Sequence, residues 1–206
     1  LTWQEKNDMN IGIDFNVPNN RITSRFDYYE SMTKGMVTNV TVPGSTGFNT
    51  YVANLGETQN KGFEAFINYR IYQAKGGRDY FNVFASVASN TNTLKKISNS
   101  LKAWNEAQDK EMMESGSVTP SVQYYAGCSM NAIWAVKSLG IDPQNGKEIF
   151  VKRDGSVTYE YDINDQVVCG DNMPKYNGNF GFNSEINGWG FSVTANYRWG
   201  GQMYNT

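Results

Sequence analysis

The sequence predicts an all-β chain: part of a large antiparallel transmembrane β-barrel, with about six strands and one long, partly helical extracellular loop. Three observations carry this. Apolar and polar residues alternate with period two in six separate stretches, as strands with unlike faces require. The connections between them alternate short and long, in the manner of periplasmic turns and extracellular loops. The polar faces hold Asn, Asp, Arg, Ser, Thr and Gly with few long aliphatic groups, which suits a polar lumen.

The first strand places Met9, Ile11, Ile13, Phe15 and Val17 on one face and Asn10, Gly12, Asp14 and Asn16 on the other. Pro18-Asn19-Asn20 marks a turn. The second strand sets Ile22, Phe26 and Tyr28 against Thr23, Arg25, Asp27 and Tyr29. Residues 38–56, rich in Pro, Gly, Ser and Asn, read as an extracellular loop with room for a short strand. The third strand opposes Phe63, Ala65, Ile67, Tyr69 and Ile71 to Gly62, Glu64, Phe66, Asn68 and Arg70, and Ala74-Lys75-Gly76-Gly77 reverses it. The fourth opposes Phe81, Val83, Ala85 and Val87 to Asn82, Phe84, Ser86 and Ala88.

Alternation then lapses. Residues 101–114 predict an amphipathic helix ending before Gly116, and 121–137 and 148–168 predict small strands and turns. A structureless connection of this length is unusual, so the segment is expected to fold on itself. In the fifth strand Phe180, Phe182 and Ile186 oppose Asn179, Gly181, Asn183 and Glu185. Asn187-Gly188 is a strong hairpin signal. In the sixth, Phe191, Val193, Ala195, Tyr197 and Trp199 oppose Ser192, Thr194, Asn196 and Arg198. The expected organisation is therefore 1–92, strands one to four with a loop near 38–56; 93–174, the long extracellular loop; and 175–206, strands five and six.

The rhythm of connections gives a direction. The first strand runs towards the periplasm and the sixth ends outside, so a further extracellular loop is expected in the full protein. Trp3, Tyr28, Tyr69, Tyr72, Trp189, Tyr197 and Trp199 fall near strand ends, where interfacial girdles sit. A soluble β-sandwich also alternates and also carries Tyr and Trp, so pattern alone leaves that alternative open. Six strands do not close a useful barrel, and open edges in lipid leave backbone groups unpaired. The chain opens at Leu1-Thr2-Trp3 without Met or a secretory leader and stops at Tyr204-Asn205-Thr206. The expectation is a piece of a larger barrel.

Composition limits the function classes. Aromatics make up 14% of the 206 residues and charged residues 18%. The formal net charge is −2 with no basic face, which argues against a nucleic-acid partner. No run of eighteen apolar residues predicts a transmembrane helix, and a barrel needs none. The chain has no His, which excludes Ser-His-Asp and Cys-His catalysis within it. No P-loop or dinucleotide fingerprint is present. No enzyme activity and no cofactor are expected. Glu111 and Glu114 read as a solvated helix face, and Asp162 and Asp165 as a turn rather than a calcium site, so no metal is expected. Cys128 and Cys169 fit either a disulfide or two unrelated thiols.

Binding is the expected role. The long loop offers Trp104, Tyr124, Tyr125, Trp134 and Tyr159, against the alternative that most of them pack its own core. Near the outer mouth the lumenal face offers Tyr29, Glu64, Asn90, Asn179 and Arg198, with Asn179 expected opposite Arg198. The alternative there is a polar network along the wall.

Several stretches resemble the SusC/RagA family of TonB-dependent outer-membrane transporters. They are Leu1-Thr2-Trp3-Gln4-Glu5-Lys6 leading to Asn10-Ile11-Gly12-Ile13-Asp14, Phe26-Asp27-Tyr28-Tyr29, and Asn54-Leu55-Gly56-Glu57 with Asn60-Lys61-Gly62-Phe63-Glu64. Others are Ala132-Ile133-Trp134-Ala135-Val136-Lys137-Ser138-Leu139-Gly140-Ile141-Asp142-Pro143, Asn145-Gly146-Lys147-Glu148 and Gly170-Asp171-Asn172-Met173-Pro174-Lys175-Tyr176. The resemblance is collinear over nearly the whole chain. It implies a late part of a plugged barrel of about 22 strands. It further implies import of glycan or peptide oligomers across the outer membrane of a Gram-negative, Bacteroidetes-type bacterium. A SusD-like surface lipoprotein would cap the mouth, and TonB would act through a plug outside this chain. Set against this are a soluble sugar-binding β-sandwich module and a passive porin wall.

Overall fold

A computed structural model describes residues 3–17, 21–41, 50–115 and 123–203. In chain order the elements are β1 (Glu5–Asn16), β2 (Ile22–Thr41), β3 (Thr50–Gln73), β4 (Tyr80–Ile97), α1 (Asn99–Ser115), β5 (Ala132–Ala135) and β6 (Lys137–Ile141). There follow β7 (Glu148–Val151), β8 (Val157–Thr158), a 3-10 turn (Ile163–Asp165), β9 (Val167–Asp171), β10 (Tyr176–Ile186) and β11 (Trp189–Trp199). Six strands form one antiparallel sheet in the order β1-β2-β3-β4-β10-β11. The two outermost strands each keep one open edge. No helix among the described residues is long and apolar enough to cross a membrane.

The sheet has the two faces the alternation predicts. Ile11, Ile13, Phe15, Phe26, Ile67, Phe180, Phe191 and Val193 all point outward and are exposed. A β-sandwich would cover such a face with a second sheet. Among the described residues the only other sheets are the two small ones of the long excursion, and neither pairs with the wall. A single sheet with one continuous apolar face suits lipid. The sheet is therefore part of a transmembrane barrel, and the sandwich alternative is not what forms.

The apolar band has an upper limit. Ile11, Tyr28 and Phe63 are cross-strand neighbours on the outward face. The next outward row is Met9, Glu30 and Lys61. Charged groups facing outward mark where hydrocarbon ends. The strands run on well beyond it. β2 has 20 residues and β3 has 24, against about 9–11 needed to span a bilayer.

This corrects the loop expected at 38–56. Strand structure continues to Thr41 and resumes at Thr50, and only 42–49 fall outside the described residues. The cause is a pair of register shifts around Met36, beside Gly35 at φ 61°. A bulge adds a residue to one strand, so the outward and inward sets exchange parity and alternation reads as lost. Asn54 Nδ2 donates to the Gly35 carbonyl at 2.7 Å and ties the bulge to β3.

The turns behave as their residues dictate. Asn187 and Gly188 have φ of 52° and 82°, the pair of left-handed residues a type I′ hairpin requires. Ile186 therefore pairs with Trp189, and the register follows one for one. It sets Arg198 opposite Asn177, and Asn179 opposite Asn196. The expected Asn179–Arg198 pairing is thus displaced by one row. The third turn is longer than Ala74–Gly77, since Ala74 N–H closes onto the Asp79 carbonyl at 2.8 Å. The turn expected at 18–20 lies outside the described residues.

Residues 98–175 form the excursion between β4 and β10, which are themselves paired. It folds on itself into α1, the two-stranded β5–β9 sheet and the three-stranded β6–β7–β8 sheet. Its anchor is a small core of Leu94 and Leu101, packed by Met36, Ile97, Trp104, Tyr124 and Met130. Leu94 belongs to the wall and Leu101 to α1, so this core joins the two. Leu94 N–H donates to the Cys128 carbonyl at 2.9 Å, and Gly127 N–H to the Leu94 carbonyl at 2.7 Å. Asn105 holds Tyr124 by both backbone groups, at 2.8 and 3.0 Å.

Candidate functional site

The inward face of the wall is a set of polar rows, each about 7 Å above the last because residues on one face are two apart. The lowest row relevant here runs Asp14, Arg25, Phe66, Ser86, Asn179, Asn196. Arg25 Nε donates to Asp14 Oδ1 at 2.7 Å, and Nη2 reaches Oδ2 at 3.4 Å. Both side chains are largely exposed, so this ion pair adds little stability. The row above is Gly12, Asp27, Glu64, Ala88, Asn177, Arg198. These two rows enclose a concavity of about 630 Å³, with Arg25 and Arg198 at its flanks and the Asp27 and Glu64 carboxylates adjacent between them. Of the sequence candidates, Glu64, Asn179 and Arg198 line it together.

Tyr29 and Asn90 sit one row higher, with Asn10 and Gly62. Tyr29 O–H donates to Asn90 Oδ1 at 3.3 Å. The ring crosses the backbone of Gly62, where a Cβ would stand 2.6 Å from the phenol oxygen. Gly62 is what lets this tyrosine lie flat along the wall. The row above that is Asp8, Ser31, Asn60, Asn92.

The excursion bends back over these upper rows. Ser129 forms an isolated bridge with Thr93. Tyr124, Met130 and Asn131 thereby close a second concavity of about 750 Å³ against Asn10, Tyr29, Asn60 and Asn92. Tyr29 and Tyr124 are the sequence candidates that reach it. Asn10, Asn60, Asn92 and Asn131 were not among the candidates. Their inward parity was readable for the first three, but their convergence depends on the fold of the excursion.

The remaining loop aromatics have structural partners. Trp104 packs on the Leu94–Leu101 core. Tyr125 and Trp134 lie with ring centroids 4.7 Å apart, and Trp134 is buried. Tyr159 is half-exposed, and its O–H donates to Asp142 Oδ2 at 2.8 Å. Cys128 and Cys169 are free thiols, so the disulfide alternative is not the one formed. Cys169 S–H instead points to the Ala135 carbonyl at 3.5 Å. Asp162 caps the 3-10 turn by accepting from Asn164 N–H at 2.9 Å, and Asp165 accepts from Arg153 N–H at 3.0 Å. Among the described residues no group of three or more His, Cys, Asp or Glu converges.

Two carboxyls of the excursion are shifted in opposite directions. Burial pushes Asp109 up, partly offset by a hydrogen bond from Gln123 and by the Arg153 charge. Asp142 is held down by the Gln144 backbone N–H, the Tyr159 phenol and Asn145. A carboxyl depressed in the fold contributes stability above its unfolded pKa, and the contribution is lost as pH falls through the folded value. The turn at 142–147 is therefore expected to stay protected against amide exchange in mild acid. Protection of Gln144 N–H, referred to the intrinsic rate at each pH, should fall only below the ordinary 3.8. Asp142→Ala should lower it at every pH.

Comparison with known proteins places these features in context. No protein-family model matches the chain. It is 28% identical over 167 residues to the TonB-dependent receptor SusC of Bacteroides thetaiotaomicron, covering 78% of this chain and 16% of that protein. It is 22% identical over 238 aligned residues to the TonB-dependent receptor P39 of Formosa agariphila, covering 99% of this chain and 23% of the relative. Among solved structures, the RagAB peptide transporter superposes with a TM-score of 0.74 at 20% identity, covering 97% of this chain and 22% of that one. The chain thus spans less than a quarter of the length of these proteins.

Proposed function

We propose, from the premise that the chain belongs with the SusC-like TonB-dependent receptors, that it builds part of the wall and outer mouth of an outer-membrane importer. The observation that carries this reading is the two-faced sheet. Its outward side is apolar up to the Glu30–Lys61 row, its inward side is mainly polar, and both edges await further strands. The substrate is a nutrient oligomer, glycan or peptide, moving along the inward rows. Glu64, Asn179 and Arg198 line its path, with Tyr29, Asn90 and Tyr124 higher up. A SusD-like lipoprotein covers the mouth from outside, meeting the excursion through faces such as that of Tyr159, while the buried Trp134 packs beneath. TonB acts through a plug elsewhere in the parent protein. The chain carries no chemistry of its own in this reading.

The test is fractionation of cells expressing the parent protein. It should enter the outer-membrane fraction of a Gram-negative host, dissolve only in detergent and show heat-modifiable migration. A stable soluble monomer sinks the reading. A parent gene with no plug-coding region upstream favours a passive porin instead.

A further inference from the structure

We propose that the outward face of the wall carries a specific lipid site. A membrane lipid whose headgroup bears both a phosphate and a primary ammonium group lays an acyl chain in the hollow over Ala65 and Ala85 and sets its headgroup on Lys61 and Glu30. The inference needs the sheet to be transmembrane and goes beyond the importer reading, since no cargo is involved.

The hollow comes from unequal side chains on the lipid-facing side. Ala65 and Val87 are neighbours in one outward row, and Ile67 and Ala85 in the next. Phe26 stands beside Ala65 on one flank, and Tyr197 stands beyond Val87 and Gly178 on the other. The small residues between these rings leave a space of about 590 Å³. Its far wall is fixed in place. The Tyr197 ring crosses Gly178, where a Cβ would stand 2.8 Å from the phenol oxygen, and its O–H donates to the Ser86 carbonyl at 2.9 Å. The phenol is thereby satisfied without water, as a ring in hydrocarbon requires. A methylene chain suits the hollow, because an unfilled one forfeits dispersion contacts along its lining.

The headgroup position follows from the strand. Lys61 lies on β3 four residues from Ala65, about 13 Å along it, past Phe63. A glycerol backbone and the upper part of a chain bridge such an interval. Lys61 is exposed and makes no ion pair among the described residues. Its cross-strand neighbour Glu30 accepts from Tyr28 O–H at 3.5 Å and from Gln59 Nε2. Both donors are neutral, so they aim the carboxylate and leave its charge in place, with lone pairs to spare. Met9 and Thr91 complete this row and bring no charge. The wall thus presents one cation and one anion side by side at the edge of the hydrocarbon. A phosphate on Lys61 and an ammonium on Glu30 satisfy both. A headgroup with a phosphate alone sets a second anion beside Glu30. A trimethylammonium group supplies the charge but has no N–H to donate.

The experiment uses the full-length parent protein, purified in detergent, stripped of lipid and read by native mass spectrometry. The probes are phosphatidylethanolamine, phosphatidylcholine, phosphatidylglycerol and diacylglycerol. Phosphatidylethanolamine should be retained roughly tenfold more tightly than the others, the equivalent of one charge-assisted hydrogen bond. Glu30→Gln should bring it level with phosphatidylcholine, and Lys61→Gln should weaken it roughly tenfold. Ala85→Phe, which fills the hollow with another apolar group, should lower retention of every probe, diacylglycerol included. Heat-modifiable migration checks that each variant is folded. Four outcomes overturn the site: equal retention of all probes by the unaltered protein, a headgroup preference that survives both Glu30→Gln and Lys61→Gln, retention unchanged in Ala85→Phe, or a lipid-free dimer that Ala85→Phe splits. Failure of the membrane reading is distinct, because it appears as absence from the outer membrane before any lipid is added.

Discussion

Phe180→Arg and Val193→Arg are each expected to cost roughly 2–4 kcal/mol of assembly in the membrane. Both side chains lie on the outward face and are about half exposed, at 54% and 53%. They lie on adjacent strands, Phe180 opposite Ala195 and Val193 opposite Phe182, deep below the Glu30–Lys61 row. In water such exposure is tolerable and an arginine there would be silent. In hydrocarbon the guanidinium has no counter-charge on this face near it, and snorkelling from mid-strand is long. The readout is the folded, heat-modifiable fraction recovered in outer membranes. Asn196→Leu is the matched change on the inward face, where Asn196 faces Asn179. It should leave assembly intact. Silent arginines beside a disruptive leucine would mean that the faces are reversed.

Leu94→Ala is expected to release the excursion from the wall without opening the wall. Leu94 is 1% exposed and is the largest fully buried apolar side chain among the described residues. Truncating a buried leucine costs about 2–5 kcal/mol, the spread depending on how far the site collapses. This core is small, with Leu101 as the other buried member, so neighbours can fill little of the space. The loss should therefore appear as local unfolding. Amide exchange in α1 and protease cutting between α1 and β5 should rise sharply. The β4–β10 ladder below Ala88 should keep its protection, because its pairing with Asn177 and beyond is independent of Leu94. Unchanged protease resistance would show that other contacts hold the excursion down.

How much of this was legible in the sequence follows from the range of the interactions. The six wall strands were legible because, below the Glu30–Lys61 row, each face meets one medium, and a two-residue period reports that directly. The upper halves of β2 and β3 were not. Gly35 and the shifts around Met36 exchange the inward and outward sets, and a periodic reading takes this for a loop. Hairpin register was recoverable in principle, since Asn187 and Gly188 fix it. With Ile186 paired to Trp189, Arg198 falls opposite Asn177, one row from Asn179. The inward parity of Tyr29, Glu64, Asn90 and Arg198 was likewise local information. What brings Tyr124 and Asn131 over Asn60 and Asn92 was not: it depends on the Thr93–Ser129 bridge and the Leu94 core. Nothing in the spacing of asparagines records that.

The pairing of β4 with β10 has a consequence for how such a protein can diversify. Because these strands are neighbours in the sheet, all of 98–175 amounts to an overgrown hairpin connection. Insertions, deletions or wholesale exchange of that cassette leave the register of the wall untouched. In the proposed importer, preference for one cargo over another could then change by recombination at two points of the gene, while the scaffold that must survive in lipid is inherited unaltered.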